Sequence, residues 1–174
     1  LYEVRLFEVF DEKSRCLISG KSSWILTNLE NRRPVRLNRH LPAKLFQGID
    51  GTAENDFENI APPDHVDHQR VFNVRLHDLD FNQHVNNAAF IQWAVESVPR
   101  EIALQYRPSR LAVHFMGEAH FDDQIIVKTG SSGHSSPQRF NHSLTNGAGR
   151  EVTRVASHWQ PLSEMAGPTP ERSG

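Results

Sequence analysis

Asp78, Asp80, Asn82 and His84 alternate through HDLDFNQHVNN, residues 77–87, and two adjacent asparagines, Asn86 and Asn87, close the stretch. An apolar run follows, VNNAAFIQWAVES over 85–97. Polar side chains at this density serve a calcium loop, a capped helix start or a catalytic cluster. The calcium reading fails on position. An EF-hand loop opening at Asp78 needs glycine at its sixth place, where Gln83 stands, and glutamate at its twelfth, where Ala89 stands. Asp and Asn ahead of a helix do satisfy its free amides, and turns favour the same residues. Capping explains one of these side chains; it does not require all four, nor a His among them. The catalytic reading has a turn aiming Asp80, Asn82 and His84 into one cleft beside the unpaired N–H groups of the helix. Those amides and the positive helix end suit the anionic oxygen of a tetrahedral intermediate. His exchanges protons near neutrality, Asp orients it or acts as base, and Asn donates to a carbonyl. The set is equipment for acyl transfer or hydrolysis without an evident Ser or Cys nucleophile.

Several elements must position these residues. The pattern predicts a buried helix over 85–97, ended or kinked by Pro99, with a further turn over 100–105. RVFNVRLH (70–77) reads as a strand before it. Four strand-like segments follow at 109–118, 122–130, 137–145 and 150–160, with Asn146-Gly147 as a hairpin signal. One long apolar helix followed by a meander predicts an α+β domain with an antiparallel sheet wrapped around a helix. Upstream, residues 2–10 and 21–30 read as strands joined by the turn-like 11–15, and 39–47 as holding a short helix. GIDGTAENDFENIAPPDHVDHQ carries six carboxylates, no Lys or Arg, and Pro62-Pro63, which predicts a linker over 48–69. The expected domains are therefore 1–47 and 70–161, with a disordered tail at 162–174.

Composition narrows the function. The 174 residues are 37% hydrophobic and 23% charged, with a formal net charge of -2. Such a balance supports a packed core and gives no electrostatic grip on nucleic acid or an anionic membrane. One cysteine, Cys16, excludes an internal disulfide and a thiolate-rich zinc site. No apolar stretch has the length that crosses a bilayer. LYEVRLFEVF opens directly on strand-like alternation, without Met or the plan of a signal peptide, and reads as part of a longer chain.

The residues carry a specific resemblance. VRLHDLDFNQHVNNAAFIQWAVESVP resembles the signature segment of the acyl-acyl-carrier-protein thioesterases, the fatty-acid-releasing enzymes of plastids and bacteria. The shared elements are Arg75, Asp78, Asp80, Asn82, His84-Val85-Asn86-Asn87, Trp93, Glu96 and Pro99. SSWILTNLENRRPVRL (22–37) is similar to the family's Ser-x-Trp strand and Arg-Arg-Pro turn, and the likeness runs from about residue 5 to about residue 160. The resemblance implies two hotdog domains, each a curved antiparallel sheet around a long helix. Residues 70–160 would form one complete hotdog, and residues 1–40 only the last strands of another. It also implies a catalytic set of Asp80, Asn82, His84 and Glu118, the last in HFMGEAHFDD, with Asn86 and Asn87 at the substrate carbonyl. Many plant members have Cys directly after this Glu; here Ala119 stands there, which favours a carboxylate-and-water mechanism. The implied partner is an acyl carrier protein bearing a fatty-acyl thioester, in a plastid stroma or a bacterial cytoplasm. No cofactor, metal or membrane insertion is implied. Competing readings are a hotdog acyl-CoA thioesterase and a catalytically incomplete acyl-binding fragment that dimerises through an incomplete sheet edge.

Other candidates are weaker. DHVDH (64–68) offers metal-ligand types, yet sits in the expected linker without further ligands and reads as a solvated loop. His114, His120, His134, His142 and His158 read mostly as surface residues, with His120 of interest because it lies two residues after Glu118. No G-x-S-x-G elbow accompanies Ser22-Ser23. Trp24, Trp93 and Trp159 read as core.

Overall fold

The computed structural model describes residues 2–28, 30–31, 33–46, 57–133 and 138–165. Residues 48–56 of the expected linker, His134, and residues 166–174 of the expected tail lie outside them. The chain divides into two compact units, Leu1–Phe57 and Glu58–Gly174.

In the first unit, β1 (Tyr2–Phe10) and β2 (Cys16–Ile25) pair antiparallel. Asp11 closes their turn, its Oδ1 accepting from the amides of Lys13 (2.9 Å) and Arg15 (2.8 Å). Short helical segments follow, α1 (Leu37–His40) and a 3-10 turn over Ala43–Phe46. Leu6, Phe7, Phe10, Leu17 and Ile18 are all more than half exposed. Trp24, expected in a core, is 47% exposed, with the Arg5 guanidinium 4.9 Å from its ring centroid.

The second unit is built on a five-stranded antiparallel sheet. Its strands are β3 (His68–Asn73), β4 (Tyr106–Phe115), β5 (Gln124–Ser131), β6 (Gln138–Asn146) and β7 (Glu151–Pro161), in spatial order β3-β5-β6-β7-β4. Pro108 falls at a register shift on the edge strand β4, where its missing N–H costs little. Between β3 and β4 come α2 (Asn87–Glu96) and α3 (Arg100–Gln105). Ala89, Phe90, Trp93 and Ala94 of α2 pack on Ile125, Val127, Leu144, Val152 and Val155 of the sheet. Trp93 stacks on Phe72 at 5.7 Å between centroids and meets the edge of Phe90 at 5.6 Å. Burying each of these large side chains stabilises the unit by about 1.5–3 kcal/mol, which fixes the helix on the sheet. Pro99 separates α2 from α3, as its missing amide and fixed φ require. The result is the expected α+β hotdog layering.

Three local expectations change. Residues 58–67, within the segment read as linker, pack on the second unit: Ile60 is buried, its carbonyl accepts from Arg154 Nη1 (3.2 Å), and Asp67 Oδ2 accepts from Ser131 N (2.7 Å). Leu162–Met165 forms a short helix, α4, where a frayed tail was expected. His142, expected at the surface, is fully buried, with Nδ1 2.9 Å from Thr129 Oγ1 and Nε2 2.9 Å from Ser157 Oγ.

Candidate active site

The polar stretch begins by anchoring itself. After β3, Val74 is buried and Arg75 opens a 3-10 turn over Leu76–Asp78. The Asp78 carboxylate accepts from Arg75 N at 2.8 Å and from Arg75 Nε at 3.3 Å. Burial alone would raise the pKa of this nearly enclosed carboxyl, but the bonds and charge of Arg75 hold it below the usual carboxylate range. Asp78 is thus a structural pin, and its carbonyl accepts from Asn86 N (2.8 Å) at the far side of the loop.

Residues 79–85 form a closed loop. Leu79 and Val85 bridge antiparallel, and Asp80 N donates to His84 O at 2.8 Å. The Asp80 carboxylate turns inward on this loop, Oδ1 accepting from Asn82 N (2.8 Å) and His84 N (3.2 Å). Gln83 takes a left-handed φ of 62° to complete the turn. Phe81, at the tip, is 94% exposed, and Asn82 beside it is exposed as well. The structure therefore gives Asp80 a definite task, to hold the backbone that carries His84.

Helix α2 starts where the loop ends. Asn86 is its N-cap, with Oδ1 accepting from Ala88 N at 2.9 Å, an interaction worth about 1 kcal/mol. The carboxamide oxygen expected to face substrate is committed to the cap. Asn87 is the first helical residue and is exposed.

Glu118 comes from the connection between β4 and β5. It was expected on a strand, but β4 ends at Phe115 and Glu118 sits in the connection to β5. Met116 N and Gly117 N both donate to Val152 O (2.9 and 3.0 Å), so the ladder slips and the strand stops. Ala119 is completely buried, and its carbonyl accepts from Val85 N at 2.8 Å, which ties this connection to the His84 loop. His84 Nδ1 consequently lies 3.7 Å from Glu118 Oε1, with side chains 29% and 48% exposed. A third group joins them. The His120 ring meets that of His84 at 5.0 Å between centroids and 75° between planes. His120 is set by Asp123, whose Oδ2 accepts from His120 N at 2.8 Å. The structure brings together His84 and Glu118 of the expected set. It adds His120, whose place two residues beyond Glu118 was the signal. The Asp80 carboxylate meets the loop backbone at His84 N, not the His84 side chain.

The arrangement pairs an imidazole and a carboxylate in a half-open site beside the N-terminus of a buried helix. Such a pair can activate water and move a proton to a leaving group. The alanine after Glu118 removes a sulfur nucleophile from that position.

Comparison with known proteins identifies a family. Residues 62–161 match the acyl-ACP thioesterase C-terminal domain. The chloroplastic oleoyl-acyl carrier protein thioesterase of Coriandrum sativum is 30% identical over 178 residues, covering 82% of this chain and 48% of that protein. The chloroplastic dodecanoyl-[acyl-carrier-protein] hydrolase of Cinnamomum camphora is 29% identical over 147 residues, covering 79% of this chain and 38% of that protein. The structure of the 12:0-ACP thioesterase from Umbellularia californica superposes with a TM-score of 0.76 at 26% identity, over 92% of this chain and 61% of that one. The chain thus spans about half the length, or less, of these curated relatives. With the family match spanning more than half of its residues, this chain belongs to the acyl-ACP thioesterase family.

Proposed function

We propose that this chain hydrolyses fatty-acyl thioesters carried by acyl carrier protein, releasing the free fatty acid and the carrier thiol. The observation that carries the reading is the approach of His84 to Glu118, 3.7 Å apart on a loop closed against the start of α2. Glu118 activates a water molecule, whose oxygen attacks the thioester carbonyl carbon. Glu118 takes the water's proton and relays it to His84, the carbon–sulfur bond breaks, and His84 passes that proton to the departing thiolate. The carbonyl oxygen, negative in the tetrahedral intermediate, is held by Asn82 and by the amide of Asn87, the first helical residue, at the helix end that favours negative charge; Ala88 N is already taken by the Asn86 cap. Asp80 positions His84 through its backbone amide. Acyl carrier protein as the carrier is supported by the similarity to an oleoyl-acyl carrier protein thioesterase and a dodecanoyl-[acyl-carrier-protein] hydrolase. Those relatives are chloroplastic, and we place this protein in a plastid stroma or, in a bacterium, in the cytoplasm. Among the described residues no helix is long and apolar enough to cross a membrane. The exposed apolar side chains of β1 and β2 support self-association as a homodimer. Free-thiol release from matched acyl-carrier-protein and acyl-CoA thioesters tests the reading. Turnover of the carrier-protein substrates supports it, and turnover confined to the CoA esters replaces it with an acyl-CoA thioesterase.

A further inference from the structure

Three potential metal ligands converge beside α2. One nitrogen each from His84 and His120 and one carboxylate oxygen of Glu118 all lie within 4.8 Å of one another. Among the described residues no other group of three such ligands is this close. Two imidazoles and a carboxylate are the donor types that zinc takes in open sites, where three protein ligands leave a fourth position to a small molecule. Ligand atoms about 2.1 Å from a tetrahedral ion stand about 3.4 Å apart. The His84–Glu118 pair, at 3.7 Å, already approaches that spacing. Closing the rest asks roughly 1 Å of side-chain movement, well within rotation about χ angles, because Glu118 and His120 are both exposed. His84, by contrast, is held by the closed 79–85 loop, and the backbone of His120 is fixed by Asp123. The frame is rigid where an ion needs it and adjustable where its ligands must close.

We propose that His84, Glu118 and His120 form a binding site for a divalent transition-metal ion of the zinc class, and that its occupation blocks thioester hydrolysis. The ion takes the ring nitrogen and the carboxylate oxygens that the reaction requires, so water activation and proton transfer to the thiol both stop. Binding depends only on the three ligands; the effect on turnover rests on the function proposed above.

The test is calorimetric titration of the full chain with zinc chloride, repeated with cobalt chloride while the visible absorption of a tetrahedral cobalt centre is recorded. The wild type is expected to bind a single equivalent. His120→Ala, at an exposed position, is expected to weaken it by more than about tenfold, since even loss of an outer-shell partner costs that much. A His65→Ala/His68→Ala variant is expected to bind as the wild type does. Circular dichroism establishes that each variant is folded. No saturable binding, or binding untouched by His120→Ala, overturns the site. Zinc is expected to lower wild-type turnover in step with occupancy, and His120→Ala to require correspondingly more zinc for the same fractional loss. Binding with undiminished turnover overturns the blocking role. If the wild type shows no turnover at all, the function fails while the titration still decides the site.

Discussion

Acidification should unfold the second unit through His142. This imidazole is completely buried between Thr129 and Ser157, and Trp159 Nε1 donates to the same Ser157 hydroxyl at 2.9 Å. A neutral ring satisfies the pair, one nitrogen donating and the other accepting; a protonated ring must carry an unpaired charge into the sheet. Burial pushes its pKa down to about 3. In the unfolded chain the group returns to its ordinary value of 6.5. The unfolded state therefore binds more protons, and stability falls as pH drops through the interval between those values. From pH 6.5 to pH 5 the loss amounts to about 2 kcal/mol, rising toward a ceiling of about 5 kcal/mol below pH 3. That first interval is informative because the structurally paired carboxylates do not titrate in it. Glu151, lowered by its bonds from Arg154, and Asp78 both lose their contributions only at lower pH. His158 is shifted the same way by burial and by Arg139 and Arg110, so the comparison must be with a variant. His142→Gln keeps hydrogen-bonding capacity toward Thr129 and Ser157 but does not titrate. Urea unfolding followed by tryptophan fluorescence at pH 6.5 and pH 5 should show the wild type losing about 2 kcal/mol more than His142→Gln over that interval. Equal losses in the two proteins would refute the buried-neutral account of His142.

Three further outcomes follow from particular contacts. Asp80→Ala removes the acceptor for two loop amides and should lower turnover by roughly a hundredfold, as expected for a misplaced catalytic group, while Asp80→Asn, which keeps an acceptor oxygen, should recover most of it. An Asn variant as inactive as Ala would show that the charge, not the positioning, matters. Gly130→Ala should destabilise the second unit by about 1–3 kcal/mol or more in urea unfolding, because its new methyl would collide with the His65 carbonyl oxygen and Pro63 Cβ; unchanged stability would mean that residues 63–65 do not pack on β5. Light scattering should report a mass above that of the monomer, owing to the exposed apolar residues of β1 and β2, and a monodisperse monomer would remove that surface from the account.

The legible features were those with a strong local signature. An Asn pair ahead of an apolar run marked the start of α2, and Asn86 caps it. Regular turn chemistry marked the meander, including Asn146, whose carbonyl accepts from Gly149 N (2.8 Å) with Gly149 at a φ of 78°. Features set by tertiary context were not legible. His142 looks like any strand residue until Thr129 and Ser157 are found beside it. Residues 58–67 have a linker's composition, yet buried Ile60 and the bonds of its carbonyl and of Asp67 tie them down. Likewise nothing local announced that two amides share Val152 O and end β4 before Glu118. At the site, residue types pointed to His84 and Glu118 through the family resemblance. The turn of the Asp80 carboxylate onto its own loop, and the commitment of Asn86 to the cap, are geometric facts that spacing does not encode.

The most direct test is thiol release from fatty-acyl carrier-protein thioesters by this chain beside its Glu118→Gln variant, which keeps the shape and loses the base. Measurable turnover by the wild type is expected, with a loss of at least about a hundredfold in the folded variant, the scale set by removing a general base. Full activity retained by Glu118→Gln would contradict the assignment of Glu118 and, with it, the reaction proposed for this site.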